Sequence, residues 1–489
     1  MTSASRVVRL VALIALFSVA ALLEALRLTA FSNVDLWWHL RTGLWMLQQH
    51  AVPHSALFSR YSTVPWIASS WAYDELLAVA FRILGLPGIV LLLMFFKVAL
   101  AWISYQLARA AGAGFWLAVV LSGITQYVLP LQTSSSSLSV IFLGMELWLI
   151  VRSARTASLR PLYWMPLLFV VWANIHLQFL LGLMLLMLFL LAMAAGRLFR
   201  RLDFPSLGGT GTMLPLSATG TVLGMSFLTA LVNPYKSHLV SDFWPSLYSS
   251  VSFQYVADMR AMSFRRPQDY VLMLLVMTAF LALGRRRPLD LFGMAVLIAG
   301  TLLAFRIQRD AWVAVLPAIA VIGGGFSQKG DARQARKVSP VRSLGRWALL
   351  VAAVLVLISA SRIPKDAALM QRVARNFPVR ACDFIRSNHL AQPLFNTFGW
   401  GGFLTWYLPE YPVSVDSRMD LYGDESLTRY FDLITGKTRL DTDPALMSAQ
   451  VLLLERQSGI AKALTDIPAL RAQYRLMYSD DLAAVFVRQ

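Results

Sequence analysis

Long apolar runs broken by short basic connections set the pattern of this chain. A bilayer core of about 30 Å needs roughly 20 apolar residues per helix. Eleven stretches approach that length: residues 7–31, 86–107, 114–131, 136–151, 161–175, 177–196, 212–232, 269–284, 288–305, 309–325 and 346–361. The fifth and sixth read as one run too long for a single span, and the polar "WANIHLQF" at 172–179 breaks it into a tight hairpin. The first run exceeds the usual 7–15 residue core of a signal peptide and lacks a convincing cleavage site, so a retained helix is expected. Between the first two runs, "LWWHLRTGLWMLQQH" repeats Leu36, Leu40, Leu44 and Leu47 at helical spacing. It predicts an amphipathic helix along the membrane surface, with tryptophans at headgroup level. A second such helix is expected from Trp71, and a third within residues 233–268.

After residue 361 the pattern changes. Short strand-like runs ("PLFNTF", "PVSVDS", "AQVLLLE", "YRLMYS", "AAVFV") alternate with helical stretches near 366–389, 401–408, 424–435 and 458–472. That alternation predicts a small α/β domain. The expected fold is therefore mainly α, a polytopic membrane domain at 1–361 with an external loop at 32–85, followed by a soluble α/β domain at 362–489.

Charge sharpens the division. Residues 1–360 hold 29 Lys+Arg against 12 Asp+Glu, whereas 361–489 hold 15 against 14. The whole chain is 57% hydrophobic and 14% charged, well below the roughly 25% charge of soluble domains. Its +18 net charge lies mostly in connections between apolar runs, where it sets orientation rather than marking nucleic-acid binding. Arg6, Arg9, Arg109, Arg152, Arg155, Arg197, Arg285 and the basic segment 329–346 fall on one side, expected to be the cytoplasm. The loop 32–85, the hairpin turn, the loop 233–268, "RIQRD" at 306–310 and the tail then face outward. The single cysteine, Cys382, excludes an intramolecular disulfide and a cysteine-rich metal site. No GxGxxG, P-loop, HExxH or GxSxG pattern occurs.

Acidic residues are scarce in the membrane part, so those expected outside are informative. Asp35 stands before the first surface helix, in "FSNVDLWWHLRTG", and Asp74 and Glu75 open the second. A carboxylate at a bilayer edge loses solvation and becomes a better proton acceptor. From spacing alone, helix capping by Asn33 or Asp35 is the better account. Arg260, Arg265, Arg266, Arg306 and Arg309 also face outward, against the trend; the planar guanidinium fork suits phosphate oxygens, or pairing with Asp258, Asp269 and Asp310. Asn174 and His176 either join the pocket or satisfy backbone at the hairpin. A metal site from Asp35, His39 and His176 has no supporting ligand spacing, so no cofactor is assigned and a divalent metal stays unsupported.

Several stretches in chain order carry a resemblance: "DLWWHLRTG", "VPHSALFS", "PWIASSWAYDELL", "WANIHLQFLLG", "LVNPY", "RIQRDAWVAVLPAIA", "FNTFGWGGFLTWYLP" and "VDSRMDLYGDESLTRY". With these the chain resembles the GT-C class of membrane glycosyltransferases, which use polyprenyl-phosphate-linked sugars. It looks most like a bacterial group related to the lipopolysaccharide-type and mannosyl-type transferases of that class. The group's catalytic carboxylate, carried over by position, falls on Asp35. The resemblance implies an inverting transfer from a polyprenyl-phosphate sugar to a hydroxyl of a glycan, lipid or protein, at the outer face of a bacterial inner membrane. The arginines would take the donor phosphate, and Trp38, His39, Asp74, Glu75, Asn174, His176, Asn233, Tyr235 and Asp310 would support the pocket. Where the group carries an acidic residue before the tryptophan of "SSW", this chain has Ser70. The competing expectation is a non-catalytic membrane scaffold, or a protein that binds or transports a lipid-linked glycan.

Overall fold

A computed structural model describes residues 3–27, 31–204, 213–241, 250–286, 288–326, 347, 350–351, 353–354 and 363–489. The chain forms two compact units. The first comprises 1–27, 91–237 and 258–363; the second comprises 28–90, 238–257 and 364–489.

The first unit is helical. Its helices are α1 (Ser3–Arg27), most of α4 (Leu86–Ala111), α5 (Phe115–Val128), α6 (Ser136–Thr156), α7 (Met165–Ile175), α8 (Phe179–Arg201) and α9 (Leu216–Ala230). They continue with α10 (Pro267–Gly284), α11 (Leu291–Arg306) and α12 (Trp312–Gly325). Among the described residues five helices are long and apolar enough to cross a membrane: those within 4–22, 86–111, 136–156, 179–201 and 267–284. Five more apolar runs form shorter helices: four of 10–17 residues, and α12, a helix of 14 residues with Pro317 inside it. The run 346–361 lies almost wholly outside the described residues. The hairpin is present: α7 stops at Ile175 and α8 starts at Phe179, with His176 extended between them.

Among the polar groups buried inside this bundle is Glu146 of α6, fully buried and with no hydrogen-bond partner for either carboxyl oxygen among the described residues. A Cβ on Gly182 would approach Glu146 Oε2 to 2.8 Å and the Trp172 ring to 2.5 Å, so glycine makes the room that the carboxyl occupies.

The second unit joins the loop after α1 to the tail. It holds α2 (Asp35–Gln49), α3 (Trp71–Leu84), α13 (Asp366–Val373), α14 (Val379–Ser387), α15 (Phe398–Tyr407), α16 (Met419–Ile434) and α17 (Gly459–Asp466). Its sheet has the order β1-β2-β4-β3, built from Leu394–Asn396, Val451–Glu455, Tyr474–Ser479 and Ala483–Arg488. β1 runs parallel to β2, and the other pairs are antiparallel. Leu452, Leu454, Phe486 and Phe395 project from the strands into a core closed by Leu427, Tyr430 and Leu433 of α16 and by Ile460 and Leu464 of α17.

Two expectations need correction. "PVSVDS" is extended but forms no strand: its only ladder-type contact is a single parallel bridge from Val413 to Ser59. Pro412 has no N–H to donate, and the segment is held by a side chain instead. Asn396 Oδ1 accepts from the Ser414 N–H at 2.9 Å, and Asn396 Nδ2 donates to the Val415 carbonyl at 2.8 Å. Nor does Trp37 sit at headgroup level. It is fully buried by protein, between Phe31, Phe377, Phe403 and Trp406 at ring separations of 4.8–6.3 Å. Burying a ring of this size contributes about 2–3 kcal/mol, more than an interfacial perch offers.

α2 is gripped from both sides. A Cβ on Gly43 would lie 1.9 Å from the Asp74 carbonyl oxygen of α3, and one on Gly402 of α15 would lie 2.6 Å from the Val34 carbonyl oxygen. Both obstacles are backbone, which cannot swing aside. Gly43→Ala should therefore push α2 off α3 and cost about 1–3 kcal/mol, read as a lower thermal unfolding temperature of the purified protein. An unchanged transition would contradict the close contact.

Candidate active site and phosphate pocket

At the start of α2, the cap falls to Asn33. Its Oδ1 accepts from the Asp35 N–H at 2.9 Å, while the N-cap position itself is Val34, which has no side chain able to cap. Asp35 makes no capping bond. Its half-buried carboxylate accepts from the Trp38 indole N–H at 3.3 Å, one helical turn on.

The next residue is tied to α3. His39 Nδ1 lies 2.5 Å from Asp74 Oδ1, and both side chains are buried. The other Asp74 oxygen, Oδ2, is buried with no hydrogen-bond partner among the described residues. Burial pushes the Asp74 carboxyl above the usual carboxylate range, against a smaller lowering by His39. Tyr73, edge-on to the His39 ring at 5.1 Å, is pushed well above the usual phenol value by burial and then by the charges of Asp74 and Asp35. Glu75 is half-buried on the same helix.

A second ion pair backs this cluster. Arg418 is buried and binds Asp416 through Nε and Nη2, the shortest contact being 2.6 Å. Burial opposes its charge and Asp416 restores it, so its net shift is upward. Its guanidinium also donates to the Leu57 carbonyl at 3.1 Å and lies 4.8 Å from the Trp66 ring centre. Trp66 in turn donates to Asp420 at 3.1 Å and stands edge-on to Trp38 at 6.0 Å. Sequence reasoning missed Arg418, Asp416, Trp66 and Tyr73 as site residues. The signal was present in "VDSRMD", with an arginine two residues from an acid on either side.

The arginines belong to the first unit. There a cavity of about 170 Å³ is lined by Gln132, Ser136, Asp258, Arg266, Asp269, Gln308 and Arg309, with apolar walls from α5, α6, α10 and α12. Arg266 donates to Asp269 Oδ1 through Nε at 3.2 Å and Nη2 at 2.9 Å, and reaches Gln308 Oε1 at 3.3 Å. Arg309 Nε stands 3.6 Å from Asp310 Oδ1, which also accepts from Gln178 at 3.0 Å. Asp258 accepts from Gln132 at 3.2 Å. Arg260 and Arg306 are exposed beside this cavity, with the Arg260 carbonyl accepting from the Gln308 N–H at 3.0 Å; Arg265 is exposed next to Arg266.

The remaining predicted residues hold turns. Asn174 Nδ2 donates to the Val170 and Val232 carbonyls, each at 2.8 Å, linking the ends of α7 and α9. Asn233 Oδ1 accepts from the Tyr235 N–H at 2.9 Å, and Tyr235 is buried. His176 Nδ1 lies 3.0 Å from Ser139 Oγ, which accepts from the Trp172 indole at 2.9 Å. Among the described residues no three His, Cys, Asp or Glu side chains converge as a metal site.

Five helices long and apolar enough to cross a membrane, among the described residues, mark a polytopic membrane protein, to which the tail adds a small sheet. Among solved structures the chain is similar to the crystal structure of the Archaeoglobus fulgidus oligosaccharyltransferase tethered through a disulfide bond to an acceptor peptide containing the NVT sequon. The TM-score is 0.53 at 11% identity, over 98% of this chain and 74% of that one. At that identity the likeness is one of fold. No protein-family model and no curated protein matches the chain.

The Asp74 carboxyl gives a pH signature. A carboxyl whose folded pKa exceeds its unfolded value binds its proton more tightly in the folded chain, so its contribution to stability is greatest below about pH 4 and falls as pH rises toward the folded pKa. Asp74→Asn removes that titration. Thermal unfolding of parent and variant from about pH 4 to 7 should give the parent the steeper decline; parallel profiles would refute the assignment.

Proposed function

We propose that this protein is an inverting membrane glycosyltransferase that moves a sugar from a polyprenyl-phosphate donor to a hydroxyl acceptor on a glycan, lipid or protein. The observation that carries the proposal is the state of Asp35: a half-buried carboxylate whose capping duty is done by Asn33 and which accepts from a tryptophan N–H. Asp74, by contrast, is engaged by His39. The fold shared with an oligosaccharyltransferase supports the class by analogy.

In this reading Asp35 accepts the proton of the acceptor hydroxyl as its oxygen attacks the anomeric carbon. The bond from that carbon to the phosphate oxygen breaks, polyprenyl phosphate leaves, and the configuration inverts. Trp38 holds the carboxylate in one orientation through its N–H, and Trp66, pinned by Arg418 and Asp420, backs Trp38. Arg266 and Arg309, which line the larger cavity, and Arg260, Arg265 and Arg306, near them in the chain, are assigned to the donor phosphate: guanidinium forks beside carboxamides suit phosphate oxygens. The protein would reside in a bacterial inner membrane, N-terminus in the cytoplasm, with Asp35 and the tail outside.

Purified protein given labelled polyprenyl-phosphate sugars should transfer sugar or release lipid phosphate. Asp35→Asn should reduce turnover by about 10²–10⁴-fold, with donor affinity little changed. Equal turnover in parent and variant would sink the proposed base.

A further inference from the structure

The first unit holds cavities of about 170 and 60 Å³, and the larger one is lined by groups of three kinds. Its guanidinium groups are already answered: Arg266 is bound to Asp269 through Nε and Nη2, and Arg309 stands beside Asp310. Two other polar side chains keep open positions. Asp258 accepts from Gln132 through one oxygen, Oδ2, while Oδ1 meets no donor among the described residues. Gln268, half-buried near the start of α10, makes no side-chain hydrogen bond among them. The third kind is apolar, with Val140, Met262, Leu272 and the ring of Trp312 all buried where they line the cavity.

What this lining leaves open is hydrogen bonding rather than charge pairing: an acceptor at Asp258, and a donor together with an acceptor at Gln268. A ligand that meets both carries hydroxyl groups, which donate and accept. A pyranose ring has them around its rim and presents C–H faces to the apolar wall, the usual division of a small-molecule site. An added carboxylate would have to lie against Asp258 and Asp269, and an added ammonium would bring a third cation beside Arg266 and Arg309. Size narrows the ligand further. At about 10–15 Å³ for each water-sized group, the cavity takes roughly eleven to seventeen non-hydrogen atoms, where one hexose ring brings about eleven and a disaccharide about twice that. Ser137, Asp269 and Trp312 are buried, whereas the side chains of Arg266 and Arg309 are partly exposed, so the arginines lie toward the mouth.

We infer that this cavity takes the sugar of the donor and that the sugar is a single neutral ring, its hydroxyls on Asp258 and Gln268 and its phosphate at the exposed edges of Arg266 and Arg309. The inference rests on the glycosyl-transfer reading for what the ligand is. It adds which donors are accepted: one hexose, and neither a preassembled oligosaccharide nor a uronic acid or amino sugar.

Isothermal titration calorimetry on the full chain in detergent tests this, with Asp35→Asn as the background so that no turnover intervenes. The ligands share one short prenyl phosphate and differ in the head: none, a hexose, a hexuronic acid, an aminohexose, or a disaccharide of the same hexose. The hexose donor should bind about tenfold tighter than prenyl phosphate alone, as a few neutral hydrogen bonds supply. The other three should bind no tighter than prenyl phosphate. Adding Asp258→Ala, at an exposed position, should bring the hexose donor down to the level of prenyl phosphate, with thermal unfolding confirming that the variant is folded. Equal affinity for the hexose donor and bare prenyl phosphate overturns the sugar site, as does an undiminished gain in folded Asp258→Ala. A disaccharide, uronic acid or amino sugar bound as tightly as the hexose overturns the single neutral ring. If the hexose donor binds with the expected profile and the parent chain never turns it over, the transfer reading alone fails; turnover without any gain in affinity sinks the sugar site alone.

Discussion

Helix α2 is held by two backbones that approach too closely for any side chain to intervene. Gly43 meets the Asp74 carbonyl on one side, and the Val34 carbonyl meets Gly402 on the other. A helix fixed at both ends of its length cannot rotate or slide, so the direction of every side chain on it follows. Trp37 enters the aromatic cluster, His39 faces Asp74, and Asp35 is left at the first turn with Trp38 one turn above it. The position of the candidate base is thus set by residues some forty and several hundred positions away.

The electrostatics of the second unit divide its carboxylates by duty. Asp74 and Asp416 are fully buried, and each is matched to one cationic or ionisable partner, His39 or Arg418. Buried pairs of this kind add little net stability, because desolvation offsets the Coulomb attraction; what they supply is a fixed arrangement. Asp35 is different, half-exposed and held by a neutral donor, the Trp38 indole N–H. In the first unit the arginines of the larger cavity are similarly restrained: Arg266 by Asp269 and Gln308, Arg309 by Asp310. Preorganised forks of this type bind an anion with less conformational cost than freely moving side chains.

Much of the helical unit was legible because a run of apolar residues long enough to span a bilayer has few alternative fates, and α4, α6, α8 and α10 appear where their runs lie. The break at "NIHLQ" was legible for the converse reason, since a polar pentad inside an apolar run has to turn. Short strand-like runs served less well. They identified β2 and β4, yet the similar run "PVSVDS" gave a segment without a ladder, because composition does not tell which backbone groups find a partner strand. For the site, Asp35 stood out by its rarity in an apolar context. The Arg418–Asp416 pair and the seat of Trp66 were hidden, since Leu57 and Arg418 are joined across 361 positions that no local pattern connects. The burial of Trp37 was hidden too: helical spacing shows that α2 has an apolar face, and only the tail supplies the protein that covers it.

The carboxamide of Asn396 has a consequence for how this protein coexists with copies of itself. β1 is the outermost strand on its side of the sheet, the kind of position where unsatisfied main-chain groups invite a strand from another molecule. Here the approach is closed by Ser414 and Val415, latched to Asn396 rather than paired along a ladder. A single side chain therefore covers the edge strand with the protein's own chain, the kind of cover that keeps an edge from serving as a template.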